Sequence, residues 1–414
     1  MNNNVRIKLS IMMFAQYFIW GAWWVTLGSY LNASGFDDII GETYATQGYA
    51  AIIAPLFIGV IADRYFSAEK LLGALHLLGA AVLLWISTIS ESKSLFFGAV
   101  LLYMLVYMPT LPLSNSVAFN AMSNTERQFP AVRVLGTIGW ICAGLIVGFL
   151  QAEKTVLPIQ LAAVASVLAG LYAFTLPATP PKALGKIGGN GWRSITGIDV
   201  IQKIRDRSFW VFMLCSLLIC IPLSFYYAYT NTFLIEQGVE RAAAIQTLGQ
   251  ASEIFFMLLL PFAFVRLGIK WVLIVGMLAW SLRYLAFAFG FGESGPVMPL
   301  LLLGIALHGI CYDLFFVAGQ IYVDKNTAPE IRGRAQSFLA LVTLGIGTVL
   351  GSHLANWIYL SNAVSSTEHS WKIIWLVPSA LAAIVAVLFA FTFSSKQDSR
   401  EKTGASQASA LNNE

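Results

Sequence analysis

The stretch Lys8-Leu9-Ser10-Ile11-Met12-Met13-Phe14-Ala15-Gln16-Tyr17-Phe18-Ile19-Trp20-Gly21-Ala22-Trp23-Trp24-Val25-Thr26-Leu27-Gly28-Ser29-Tyr30-Leu31 carries no charge after its first residue. A hydrocarbon core about 30 Å thick is crossed by roughly 20 such residues in an α-helix, so this run is long enough to span a membrane. Arg6 and Lys8 ahead of it give a superficial likeness to a secretory signal. The run outlasts the apolar region of such a signal, about 7–15 residues, and no small-residue cleavage site precedes the next apolar stretch. It is expected to remain in place as a first spanning helix.

Stretches of the same kind recur along the whole chain. Polar breaks and a sliding apolar window place spans near 8–31, 44–63, 70–90, 95–119, 130–151, 156–176, 208–234, 243–265, 270–291, 297–322, 335–360 and 372–394. Composition agrees: 57% of residues are hydrophobic, 11% are charged and the mean hydropathy is +0.72, so water is not the main solvent and no length remains for a soluble domain. The formal charge of +4 is spread over many short loops, which speaks against a nucleic-acid-binding face. Cys142, Cys215, Cys220 and Cys311 all fall inside spans without paired spacing and read as apolar filler.

Twelve spans put both ends of the chain on one side. With that side cytoplasmic, the inner segments hold 19 of the 25 lysines and arginines. The outer loops hold Lys93, Lys154, Arg241 and Lys372, while Arg133 and Arg283 lie within spans. The asymmetry predicts cytoplasmic termini in a plasma membrane.

The longest connection, Pro177 to Arg207, is rich in Pro, Gly and Lys and divides the chain into a 1–176 unit and a 208–395 unit, joined by the 177–207 linker and followed by a 396–414 tail. Its Gly185–Gly191 run lacks the strand, the Gly-Lys-Ser/Thr ending and the helix of a phosphate loop, and reads as a flexible linker. Uphill transport would therefore have to draw on an ion gradient.

The two units show weak self-similarity at a shift of about 203 residues, with Ser29–Phe36 lying against Thr232–Val239, Arg64 near Arg266 and Glu126 near Glu330. Gly144/Gly148 and Gly347/Gly351 have the spacing that lets membrane helices approach closely.

A charge at mid-membrane costs about 2.5–3.5 kcal/mol on insertion scales, so it normally faces a partner or a wet cavity. Glu253 and Asp313 sit deep in their spans. Arg133, three residues past Pro130, has a rival reading in which it snorkels to the surface. Helical spacing puts Arg133, Thr137 and Trp140 on one face, Gln250 and Glu253 on a second, and His308 and Tyr312 on a third. Charges, amides and ring planes of this kind suit a polar, partly planar solute. Trp20, Trp23 and Trp24 read mainly as packing residues, with cavity lining as the alternative. His76 and His353 read as hydrogen-bonded packing residues, His369 as an outer-loop residue, and Arg283 as a span residue with no partner that the sequence names.

The segment Gly59-Val60-Ile61-Ala62-Asp63-Arg64 looks like the Gly-x-x-x-Asp-Arg cytoplasmic loop of the major facilitator superfamily. That resemblance implies two six-helix bundles and a gating role for Asp63 and Arg64, which would clasp neighbouring helix ends while the cytoplasmic side is closed. A closer resemblance covers most of the chain and is to the bacterial nucleoside:proton symporter family. It is carried by Ile19-Trp20-Gly21-Ala22-Trp23, Leu27-Gly28-Ser29-Tyr30, Tyr107-Met108-Pro109-Thr110, Phe129-Pro130, Arg133–Trp140, Asn231-Thr232-Phe233, Ser252-Glu253, Tyr312-Asp313 and Val323-Asp324-Lys325.

The resemblance implies proton-coupled import of a nucleoside-like solute by alternating access in an inner membrane, with no cofactor. It puts substrate contacts on Arg133, Thr137, Gln250, Glu253 and Asp313 and aromatic contacts on Trp140 and Tyr312. Asp313 and Glu253 are its candidates for proton coupling. On the seventh span the family binds with amide side chains, where this chain has Ser224 and Tyr227; His308 stands where one branch has tyrosine. A sugar or other glycoside symporter is the nearest alternative, and a receptor or passive channel is an alternative of another class. No nucleophile with a base and no metal cluster marks an intramembrane enzyme.

If the charge asymmetry sets the orientation, cysteines placed singly at Lys186 and Ser365 will react with an impermeant maleimide from opposite sides of the membrane. Labelling of both from outside intact cells would refute it.

Overall fold

The computed structural model describes residues 2–64, 66–180, 196–198, 200–292, 295–365 and 368–394, with the side chains of 56–64 and 126 outside that description. The Gly185–Gly191 run, the 396–414 tail and the side chains of Asp63 and Arg64 accordingly lie outside the described residues. Eight of the described helices are long and apolar enough to cross a membrane. One of these, Ala242–Ala288, has 47 residues, about 70 Å at 1.5 Å per residue, enough for two crossings. Its turnaround is Gly268, at φ 68° and ψ 167°, a backbone region open essentially to glycine alone. The first span (Asn3–Trp23 continued by Leu27–Ala33), the second (Ile40–Arg64) and the short sixth (Leu157–Ala173) complete twelve crossings.

Four spans depart from regular helix inside the membrane, where freed backbone groups must find partners within the protein. In the first span the break at Trp24–Thr26 is bridged by one hydroxyl: Tyr44 Oη donates to the Trp24 carbonyl at 2.6 Å and accepts from the Gly28 N–H at 3.2 Å. The fourth span changes direction at Met108-Pro109, between Lys93–Tyr107 and Thr110–Asn120. The tenth (Met298–Asn326) and eleventh (Arg332–Ser361) carry π-helical turns at Tyr312–Val317 and Leu341–Gly347.

The sequence repeat is visible as local geometry. Gly35 (φ 73°) and Gly238 (φ 77°) end the first and seventh spans in the same left-handed turn. In each, the next residue's N–H returns to a carbonyl five residues back, Phe36 to Leu31 at 2.8 Å and Val239 to Leu234 at 2.9 Å. The repeated stretches also meet one another. Ser29 Oγ donates to Asn231 Oδ1 at 2.6 Å and lies 3.3 Å from Thr232 Oγ1, its counterpart in the other half.

These contacts belong to a seam that closes the end of the bundle opposite the termini. Asn32 Nδ2 donates to Tyr359 Oη at 3.0 Å. Asn356 accepts from the Gly41 N–H at 3.0 Å and from Tyr229 Oη at 2.9 Å, and donates to the Asp38 carbonyl at 3.0 Å. Glycines let the halves touch: a methyl at Gly28 would strike the Ala228 carbonyl, and one at Gly148 would sit 2.5 Å from the Ala244 nitrogen. Gly144 meets Thr247 in the same seam, whereas Gly347 and Gly351 bring the eleventh span against the seventh within the second half. At the termini end the first half keeps its own apolar cluster, with Leu9, Met13, Leu72, Val117 and Val132 fully or nearly buried and, among the described residues, no second-half member.

Because the Ala228 carbonyl leaves no space for a Cβ, Gly28→Ala will push the halves apart at the closed end. A cysteine at Thr348 will then label faster with an impermeant reagent applied to that face. Unchanged labelling would mean that this contact does not hold the end shut.

Candidate functional site

Beneath the seam the halves separate around a cavity of about 140 Å³ in the middle of the bundle. The first half contributes Tyr17, Trp20 and Trp24 from the first span, Tyr44 and Gln47 from the second, and Arg133, Thr137 and Trp140 from the fifth. Facing them are Leu223, Ser224 and Tyr227 of the seventh span, Gln250 and Glu253 of the eighth, His308 and Tyr312 of the tenth, and Leu344, Thr348 and Ser352 of the eleventh.

The charges stand on opposite walls. Arg133 does not extend to the surface: its guanidinium carbon lies 4.0 Å from the centre of the Tyr17 ring, a cation held by an aromatic face. Among the described residues no carboxylate forms an ion pair with it, and Glu253 across the cavity forms none either. Trp140 meets Trp20 edge to face at 5.5 Å, and Trp20 in turn tilts against Tyr107 at 5.8 Å, so the rings on this wall brace one another.

Asp313 is placed differently. It occupies the π-helical turn directly after Tyr312 and is wholly buried, and neither of its carboxylate oxygens is hydrogen-bonded among the described residues. The cavity wall includes Tyr312 but not Asp313. A π turn shifts the side-chain register of a helix locally, and such turns are frequent at functional sites.

Nine of the ten sequence-nominated contact residues therefore line one cavity, and Asp313 lies behind it. Ser224 and Tyr227, at the positions where the sequence departs from the family, are both in the wall. Of the three tryptophans read mainly as packing, Trp23 and Trp24 are both buried in the core, and Trp20 and Trp24 line the cavity. The sequence reading missed Tyr17, Tyr44, Gln47, Thr348 and Ser352. For Tyr17 a signal existed, since Tyr17, Trp20 and Trp24 recur at i, i+3 and i+7 on one face.

His76 is a packing residue in a buried network: its Nε2 lies 3.0 Å from Gln16 Oε1, and Gln16 Nε2 donates to Thr110 Oγ1 at 2.6 Å. His353 is hydrogen-bonded to Tyr49 at 2.8 Å but exposed. His369 has more structure than a loop residue suggests. Glu236 accepts from its backbone N–H at 2.8 Å, its ring Nδ1 lies 3.0 Å from the same carboxylate, and the ring stacks on Tyr359 at 4.1 Å.

Twelve helices in two bundles around a central polar cavity define a membrane transporter of the major facilitator fold. Residues 3–398 match the family model described as "Nucleoside H+ symporter". Among relatives, YegT of Escherichia coli K12 is 42% identical over 399 residues, covering 93% of each chain. The xanthosine permease of the same organism is 32% identical, covering 95% of this chain and 97% of its own. A crystal structure of the nucleoside transporter NupG, in a mutant form, superposes with a TM-score of 0.87 at 29% identity, over 94% of this chain and all of that one. The chain belongs to the nucleoside:proton symporter family: it is a multi-pass membrane transporter, not an enzyme, and couples a nucleoside to a proton.

Tyr44, whose hydroxyl bridges the break in the first span, also lines the cavity. Tyr44→Phe will strand the Gly28 N–H and the Trp24 carbonyl in an apolar setting, at a cost of about 1–3 kcal/mol. Thermal unfolding in detergent will register the loss; an unchanged midpoint would show that these groups find other partners.

Proposed function

We propose that the cavity is the nucleoside site and that the solute is imported with one proton across a bacterial inner membrane, the termini being cytoplasmic. In this reading the 1–176 and 208–395 units rock about the cavity, and the closed seam is the outer gate. Asp63 and Arg64 would help to close the opposite side. Arg133, Thr137, Gln250, Glu253, Ser224 and His308 supply hydrogen bonds, while Trp140, Tyr227 and Tyr312 supply ring faces for a planar base. The observation that carries the reading is the convergence of nine nominated side chains from both halves on one midplane cavity. The relatives, a xanthosine permease and nucleoside permeases, support nucleosides as the solute class.

The proton is assigned to the carboxyl pair, with Asp313 as carrier and Glu253 mainly as a solute contact. An isolated buried charge is costly unless it is paired. A carboxyl in the setting of Asp313, wholly buried with both oxygens unpartnered among the described residues, keeps or releases a proton according to whether a cation or water reaches it. One charge moving through 100 mV is worth about 2.3 kcal/mol, which is more than tenfold accumulation. One proton per solute is sufficient.

In vesicles with an imposed proton gradient, Asp313→Asn will lose uphill uptake but keep exchange of solute down its own gradient, and Glu253→Gln will mainly weaken solute binding. If both variants still accumulate nucleoside against its gradient, neither carboxyl carries the proton.

A further inference from the structure

One buried cation has no part in the site described above. Arg283, on the ninth span, is fully buried. No carboxylate forms an ion pair with it among the described residues. Its guanidinium carbon lies 3.4 Å from the centre of the Tyr226 ring, and its Nη1 lies 3.2 Å from Nδ1 of His308. Among the described residues its Nε and Nη2 have no hydrogen-bond partner.

The chemistry of this contact has one solution. A guanidinium only donates, so the imidazole nitrogen facing it must be the lone-pair nitrogen. With Nδ1 accepting, a neutral ring carries its proton on Nε2, and a cationic ring would set two donors against each other. The tautomer of a histidine is set by the bond its other nitrogen makes. Arg283 lies outside the cavity wall, whereas His308 belongs to it. The ring edge turned toward Arg283 is the Nδ1 edge, which leaves the opposite edge, with Nε2–H, for the cavity. The ring is also clamped, stacked on Tyr226 at 5.2 Å and tilted against Tyr312 at 5.8 Å. A methyl at Gly249 of the eighth span would sit 3.1 Å from the His308 Cβ, so the backbone there holds the residue close.

We propose that Arg283 is a positioning residue that holds His308 neutral as an Nε2–H donor, so that His308 reads a hydrogen-bond acceptor on the solute and does not carry the transported proton. Resting on the reading of the cavity as a nucleoside site, this selects nucleosides whose base presents a carbonyl oxygen or a pyridine-type nitrogen to the tenth span. It discriminates against analogues in which that atom is replaced by C–H. Arg283 contributes without touching the solute.

Two measurements test this on the full chain in lipid nanodiscs. The first is nitrogen NMR of protein labelled with 15N-histidine, with the His308 signal assigned by its loss in His308→Gln. Wild type at neutral pH will show a protonated Nε2 and an unprotonated Nδ1. Arg283→Leu will give mixed tautomers or a cationic ring, and Arg283→Lys, which keeps a donor, will restore the wild-type pattern. A His308 protonated on Nδ1 in wild type overturns the proposal.

The second is competition for uptake by nucleosides paired with 3-deaza, 7-deaza or carbonyl-deleted analogues. In wild type one such deletion will weaken binding about tenfold, the scale of one buried hydrogen bond. In His308→Phe natural and deleted solutes will bind alike, and in His308→Gln, whose amide donates, the preference will return. A preference of the same size in His308→Phe overturns the proposal. If wild type takes up no nucleoside at all, the reading of the cavity fails, and the NMR pattern still decides the role of Arg283.

Discussion

A polar atom facing hydrocarbon has no water to fall back on, and the whole molecule is arranged around that constraint. Backbone groups are satisfied within helices, and where a helix is interrupted a side chain takes over, as Tyr44 does at the break in the first span. Side-chain charges obey the same rule. Arg133, Glu253, Arg283 and Asp313 all turn into the bundle, and lipid is left to leucine, phenylalanine and valine. The cavity is the consequence: it is the place where polar groups that hydrocarbon rejects can stand without all being paired.

The second organising fact is the repeat. Two halves with the same turn after their first helix, at Gly35 and Gly238, place Ser29 and Thr232 in contact across the seam. A joint made of glycines, short side chains and single hydrogen bonds is close-fitting but shallow. Its hydrogen bonds are ones that water can replace, and around them the apolar cluster that holds Leu27, Leu31 and Tyr44 continues into Tyr229, Phe233 and Tyr359 of the other half. At the termini end, by contrast, the apolar cluster that contains Leu9 and Val132 is drawn from the first half.

What the sequence made legible follows from the same physics. The spans were readable because apolar length is a strong signal, and the site residues because charges and amides within spans are costly enough to demand a reason. The repeat was weak in sequence, since only a glycine and a few short polar residues must recur to reproduce a turn and a contact. The breaks and π turns left no composition mark: Trp24–Thr26 and Tyr312–Val317 read as ordinary apolar helix. Asp313 was expected among the substrate contacts through the family resemblance alone, and it lies buried directly after Tyr312, outside the cavity wall. Tyr44 and Ser352 were missed because a tyrosine or a serine inside a span is too common to stand out. Trp24 belongs both to the core and to the cavity wall, because aromatic bulk serves packing and binding alike.

The two arginines within the membrane share an arrangement that no single span could have revealed. Each rests on a tyrosine ring, Arg133 on Tyr17 at 4.0 Å and Arg283 on Tyr226 at 3.4 Å, and neither has a carboxylate partner among the described residues. An aromatic face holds a cation with about 0.5–2 kcal/mol and leaves its charge unneutralised. A buried ion pair would do the reverse, and breaking one leaves a buried charge at a cost of about 3–5 kcal/mol. In a protein whose walls must part and rejoin, that difference has a direct consequence. Arg133 and Glu253 face each other from different halves, and a salt bridge between them would have to be broken whenever the walls separate. Seated on Tyr17, Arg133 keeps its charge available to whichever anion the cavity brings to it. Arg283 lies within one half, where nothing separates, and the same kind of seat there serves to fix a neighbour's hydrogen-bonding direction.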